Sequence, residues 1–200
     1  MRICVVGGTG LIGSAVADAL SERHEVVRVG NSSGEHRVDI ASKESIEEMY
    51  GAIGPVDAVA SAAGRAAFGE LAELSDDDFR LGLENKLMGQ ANLVRVGLDH
   101  VRDGGSFTLV TGILSREPTP GSAAVSPANA GLEGFVRAAA LEMPRGLRVN
   151  VVSPPWVAET LEELGRDPSP GMPASEVAHA YVESIEGDRN GDVIDARDFA

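Results

Sequence analysis

Cysteine, tryptophan and long apolar runs are nearly absent from this 200-residue chain. The one cysteine, Cys4, excludes an intramolecular disulfide, and its place in a short apolar segment makes it a small buried side chain. No apolar run approaches the roughly 20 residues that cross a bilayer, and the first apolar segment begins at residue 2, so no leader or membrane span is expected. The protein should therefore be soluble and cytoplasmic. Basic residues are outnumbered, with 17 Lys and Arg against 31 Asp and Glu, a formal net charge of −14. Such a field repels nucleic acid and anionic lipid, and neither is an expected partner. The four histidines, His24, His36, His100 and His179, are scattered without metal-ligand spacing, so no metal is expected. A Gly-x-Ser-x-Gly elbow and a P-loop lysine are also missing, which leaves hydrolase and phosphotransfer chemistry without support.

Glycine and apolar residues are what the chain does have. Apolar content of 43% suits one domain, residues 1–200, with a full core and no dividing linker. The chain is organised around Val5-Val6-Gly7-Gly8-Thr9-Gly10-Leu11-Ile12-Gly13. A short strand from Arg2 to Val6 runs into a glycine-rich turn and then a helix whose apolar face is Ile12, Ala15, Val16, Ala19 and Leu20. Of the three spaced glycines, one turns the chain, one lets backbone approach a pyrophosphate, and one packs helix on sheet, so that free N–H groups face an anion. The motif predicts dinucleotide binding, since strand and helix supply the context that the bare string lacks. A turn with no ligand is the alternative.

A second strand, Glu25 to Val29, ends at Gly30-Asn31-Ser32-Ser33-Gly34. An acidic side chain at this tip would bind an adenosine ribose and repel the extra phosphate of NADP. Asn31 stands there instead, so NADP is favoured, with Arg28 or Arg37 to meet the phosphate, while nearby Glu35 keeps NAD open. Val38-Asp39-Ile40 reads as a short strand end, and a helix from Ser42 to Ile53 is capped by Ser42. Val56 to Ser61 is the next strand, flowing into the small residues Ala62-Ala63-Gly64. A helix from Ser75 to about Val101, a strand from Ser106 to Thr111, a loop over 112–124 and a helix from Ser126 to Glu142 follow. Leu147 to Val152 is a strand, Ala158 to Leu164 and Ala174 to Ile185 are helices, and Asp192 to Asp195 is a final short strand. Alternating strands and crossover helices predict an α/β fold with a doubly wound, mainly parallel sheet.

Four segments, in order, resemble the short-chain dehydrogenase/reductase superfamily over nearly the whole chain. They are Gly7 to Gly13, Ser61-Ala62-Ala63-Gly64, the run Asn129-Ala130-Gly131-Leu132-Glu133-Gly134-Phe135, and Arg148-Val149-Asn150-Val151-Val152-Ser153-Pro154. The resemblance implies a Rossmann-like sheet flanked by helices, a small-molecule substrate, and pairing of the helices after Ser75 and Ser126 into a homodimer or homotetramer. It implies cofactor contacts at Gly7, Gly8, Thr9, Gly10, Leu11, Ile12, Gly13, Asn31, Ser32, Ser33, Asp39, Ala62, Ala63, Gly64, Lys86, Asn129, Pro154, Trp156 and Val157.

Members of that superfamily protonate the carbonyl with a tyrosine, aided by a lysine four residues later, a serine and an asparagine. The register set by Asn129 puts Val125 at the tyrosine position, Asn129 at the lysine, Gly112 at the serine and Lys86 at the asparagine, so this sequence departs at all four. The catalytic candidates are then Lys86, Thr111, Ser115 and Asn129. A lysine in a desolvated cleft can act as acid or base, though one paired with Glu84 would be structural. Three readings stay open: hydride transfer between NADP(H) and a small carbonyl or alcohol without a tyrosine, a non-catalytic NAD(P)-binding sensor or scaffold, and a relic with an empty cleft.

Overall fold

The computed structural model describes residues 1–200. Its strands are β1 (Arg2–Val6), β2 (Glu25–Gly30), β3 (His36–Arg37), β4 (Val56–Ser61), β5 (Val101–Val110), β6 (Arg148–Ser153) and β7 (Val193–Asp195). They form one sheet in the order β3-β2-β1-β4-β5-β6-β7, with every pair parallel. The helices are α1 (Leu11–Ser21), α2 (Lys43–Ile53), α3 (Asp76–Arg80), α4 (Gly89–Gly97), α5 (Val125–Ala139), α6 (Ala158–Glu163) and α7 (Ala174–Glu186).

Strand β1 shows how two cores arise from one sheet. Its side chains alternate between faces and all of Ile3 to Val6 are buried, as a central parallel strand requires. Cys4 and Val6 face a layer built from Ile46, Met49 and Tyr50 of α2, Leu93 of α4, and Leu132 and Val136 of α5. Ile3 and Val5 face the opposite layer, where Val16 and Leu20 of α1 meet Val177, Tyr181 and Ile185 of α7. After β3 the chain continues on the other side of β1, so the sheet order reverses between β1 and β4. Crevices at such reversals, outside the carboxyl ends of strands, are where doubly wound folds bind ligands.

The sequence expectations need four corrections. Val38-Asp39-Ile40 is not strand, because β3 stops at Arg37. The Asp39 carboxylate accepts the Ala41 N–H at 3.0 Å and the Ser45 hydroxyl accepts the Asp39 N–H, so these backbone groups serve the entry to α2 instead of a ladder. The long helix expected from Ser75 to Val101 is three pieces, α3, a π-helical stretch Leu81–Met88 and α4, and it ends at Gly97. Val101 to Gly105 joins β5, since Gly105 lies so near β4 that a Cβ would sit 2.4 Å from the Asp57 carbonyl oxygen. Helix α5 runs from Val125 and gives way to tighter turns after Ala139.

Candidate active site

The turn after β1 is built as an anion cradle. Gly7 has φ +81, and its N–H and that of Gly8 both donate to the Val29 carbonyl, at 2.8 and 3.0 Å, tying the turn to β2. A Cβ on Gly13 would lie 2.0 Å from the Gly7 carbonyl oxygen, so only glycine lets α1 start this close to the turn. No side chain caps α1, its first turn holds no acidic residue, and the Leu11, Ile12 and Gly13 amides have no backbone acceptor. Three free N–H groups at the positive end of a helix dipole fit a diphosphate. Thr9 lies beside Gly30, where a Cβ would meet the Thr9 hydroxyl and the Ser33 carbonyl, so the 31–34 loop folds back onto the cradle.

Beyond the tip of β2 lies a cavity of about 170 Å³ lined by Gly7, Asn31, Asp39, Ala63, Gly64, Arg65 and Asn85, among others. Asn31 and Asp39 therefore share one pocket, while Ser32 and Ser33 are exposed outside its lining. Of the arginines offered to a phosphate, Arg28 is held by Asp18 at 2.6 Å and Arg37 is exposed without a carboxylate partner.

A larger cavity of about 490 Å³ opens at the ends of β5 and β6. Its wall includes Ile12, Gly64, Lys86, Thr111, Gly112, Val125, Asn129, Pro154, Trp156 and Val157, bringing the cradle and most candidate side chains to one place. Lys86 reaches it from the π-helical stretch, a distortion of the kind found at functional sites. Its stem crosses Gly64, where a Cβ would approach Lys86 Cγ to 2.7 Å, and its Nζ donates to the Thr111 carbonyl at 3.2 Å. Glu84 does not pair with it, nor does any other carboxylate come within 4.0 Å. Burial of this unpaired ammonium brings its pKa down from 10.5 to about 8.

Asn129 is buried, with its Nδ2 donating to the Gly112 carbonyl at 3.4 Å and its Oδ1 without any partner. A buried orphan acceptor on a cavity wall fits a ligand hydroxyl, which completes the fit of this site to a dinucleotide. The Thr111 hydroxyl is spent on the Asn129 carbonyl at 3.0 Å, so Thr111 offers the cavity little beyond position. Ser115 stands apart from the lining, its hydroxyl donating to the Glu133 carboxylate at 2.5 Å. Trp156 packs against Phe68, ring centroids 5.7 Å apart, and covers the cavity. Both tyrosines are buried elsewhere: the Tyr50 hydroxyl donates to the Leu93 carbonyl and that of Tyr181 to the Ser61 carbonyl. No phenol lines this cavity.

Sequence reasoning passed over Arg65, Phe68, Asn85 and Gln90. Asn85 accepts the Arg65 N–H at 2.7 Å, and the fully buried Gln90 joins the Lys86 carbonyl to both backbone groups of Val110. A lone amide on the apolar face before Leu93 and Val94 was the signal for Gln90.

A family model described as enoyl-(acyl carrier protein) reductase matches residues 6–187. The chain belongs to the short-chain dehydrogenase/reductase superfamily of oxidoreductases. Among curated relatives of this dehydrogenase/reductase is the mouse 3-oxoacyl-[acyl-carrier-protein] reductase, 30% identical over 92% of this chain and 91% of that protein. Among solved structures, the protein lin1944 from Listeria innocua is 39% identical, with a TM-score of 0.92 over 98% of each chain. A small-chain dehydrogenase crystallised with NADPH is 26% identical, with a TM-score of 0.85 over 98% of this chain and 95% of its own.

Proposed function

We propose that this short-chain dehydrogenase/reductase uses NADP(H) to interconvert a small carbonyl compound and its alcohol, with Lys86 as the proton donor. The observation that carries the reading is the unpaired Lys86 ammonium on the cavity wall, poised near neutrality by burial. Bound NADPH would supply the hydride. The free Leu11, Ile12 and Gly13 amides would hold its diphosphate, Asn31 and the pocket beside it would take the adenosine end, and the unpartnered Asn129 Oδ1 would accept a hydrogen bond from a ribose hydroxyl. Pro154, Val157 and Trp156 close the nicotinamide end against water. Lys86, anchored on the Thr111 carbonyl, donates one of its remaining protons to the carbonyl oxygen as hydride adds to carbon, and recovers a proton from solvent. The whole chain acts as one cofactor-binding unit, and Ser115 serves the fold through Glu133.

NADPH oxidation against a panel of aldehydes and ketones tests this. Lys86→Met should lower turnover by about 100-fold or more, the usual reach of general-acid catalysis, while NADPH binding stays near the wild-type value. A carbonyl panel that leaves NADPH untouched, with tight NADPH binding, would favour the second reading of a cofactor-binding sensor. The absence of a phenol from the cavity wall speaks for that alternative. The apolar groove between α4 and α5, lined by Val94, Leu98, Phe135, Ala139 and Met143, supports a homodimer or homotetramer, which light scattering would measure. No helix is long and apolar enough to cross a membrane, and we place the protein in the cytoplasm.

A further inference from the structure

The basic side chains of this acidic chain are mostly neutralised by ion pairs within 4.0 Å. Six of the 17, Arg37, Arg65, Lys86, Arg95, Arg148 and Arg166, have no carboxylate that close, and of these Arg65 and Lys86 line the larger cavity while Arg166 stands beside it, on its Trp156 wall. The Arg166 guanidinium carbon lies 5.8 Å from the Trp156 ring centroid. No Asp or Glu belongs to that lining. In a chain of net charge −14, a cavity wall carrying cations and no anions is a local reversal of field.

Arg166 is held there by its backbone. It follows α6 in a Schellman turn, with its N–H donating to the Leu161 carbonyl at 2.8 Å and that of Gly165, φ +67, donating to Glu162. Although Glu159, Glu162, Glu163 and Asp167 are near it in sequence, none of their carboxylates comes within 4.0 Å of the guanidinium. Asp167 accepts the Ser169 N–H and hydroxyl at 2.9 and 2.7 Å, and Glu159 accepts the Ala174 N–H at 3.1 Å. The guanidinium is thus stacked on an aromatic face with its donors unspent. Ile113, Leu114 and Phe68, the last packed on Trp156 and 54% exposed, add apolar wall to the same cavity. Arg65 also borders the pocket of Asn31 and Asp39, which puts it on the cofactor side.

We propose that the substrate is a carbonyl compound bearing an anionic group, carboxylate or phosphate, beyond an apolar spacer, and that Arg166 on Trp156 receives the anion. This rests on the hydride-transfer reading for the carbonyl end only.

Trp156 is the only tryptophan of the chain, so its emission reports on this cavity without turnover. The experiment titrates the full chain, with NADP present, with ω-benzoyl carboxylates of increasing chain length, their methyl esters and the corresponding alkyl phosphates. At least one carboxylate or phosphate should quench Trp156 at about tenfold lower concentration than its neutral ester, as a charge-assisted hydrogen bond implies. The tighter head group identifies the anion. In Arg166→Gln that preference should fall to about twofold or less, whereas Arg102→Gln, an exposed partner of Asp57 near the start of β5 and away from the cavity, should keep it. Equal quenching by acids and esters, or a preference that survives Arg166→Gln, overturns the proposal. An anion preference without NADPH oxidation would sink the hydride reading and leave this one standing. Reduction of esters as fast as acids, with equal quenching, would do the reverse.

Discussion

Replacing Lys86 by methionine keeps the stem that crosses Gly64 and removes the ammonium, which makes the cost of burying that charge measurable. The fall in its pKa from 10.5 to about 8 corresponds to at most ~3 kcal/mol against folding at neutral pH, and water at the partly exposed side chain reduces this to ~1–2 kcal/mol. The lost hydrogen bond to the Thr111 carbonyl offsets about 1 kcal/mol, so the net change near pH 7 is small. The pH dependence is decisive. Between about pH 8 and 10.5 the unfolded chain binds a proton that folded Lys86 has released, so wild-type stability rises with pH across that window. The methionine variant lacks this rise. Its stability relative to wild type should therefore drop by ~1–2 kcal/mol between about pH 7 and pH 10. Burial raises the pKa of Tyr50 and Tyr181 in both proteins, so their contribution cancels in the difference. Urea unfolding of the two proteins at stepped pH measures it. A difference that stays flat with pH, or grows in favour of methionine, would show that the Lys86 charge is not desolvated.

Three further outcomes follow from the same geometry. Gly13→Val places carbon against the Gly7 carbonyl oxygen, and should cost ~1–3 kcal/mol of stability and at least about tenfold in NADPH affinity, read by Trp156 quenching. Gln90→Leu strands the Val110 N–H and carbonyl in the core and should cost ~2–3 kcal/mol in urea unfolding. Tyr181→Phe leaves the Ser61 carbonyl without its donor, costing ~1–2 kcal/mol, yet should leave turnover unchanged because that phenol does not reach the cavity.

Much of this was legible in the sequence because period and punctuation agree with the fold. The largely apolar strands β1, β4 and β6 are buried on both faces, and Ser42 caps α2 where its side chain meets the Ser45 N–H. The glycines of the cradle mark backbone approaches that any side chain would block. What the sequence hid depends on distance in space. Gly104-Gly105 reads as a break, yet it is a strand segment pressed against Asp57. The π-helical stretch shares its apolar spacing with ordinary helix, so in the sequence the piece that aims Lys86 is indistinguishable from the rest of one long element. Ser115 was offered to the cleft by its place in a loop, and its bond to Glu133 on α5 has no local signal. The place of Arg166 over Trp156 has no local signal either, because it depends on how the chain turns after α6.

The account stands most directly on the proton that Lys86 supplies, and the pH profile of NADPH-driven carbonyl reduction measures it. Lys86 is the one lysine on the cavity wall and no histidine, phenol, thiol or carboxylate lines it, so a single group should govern the profile. Reduction should proceed fully at neutral pH and fall as pH rises through about 8, where Lys86 loses its proton. Lys86→Arg should push the falling limb to higher pH. A profile that is flat to beyond about pH 10, or that Lys86→Arg leaves where it was, would contradict the account.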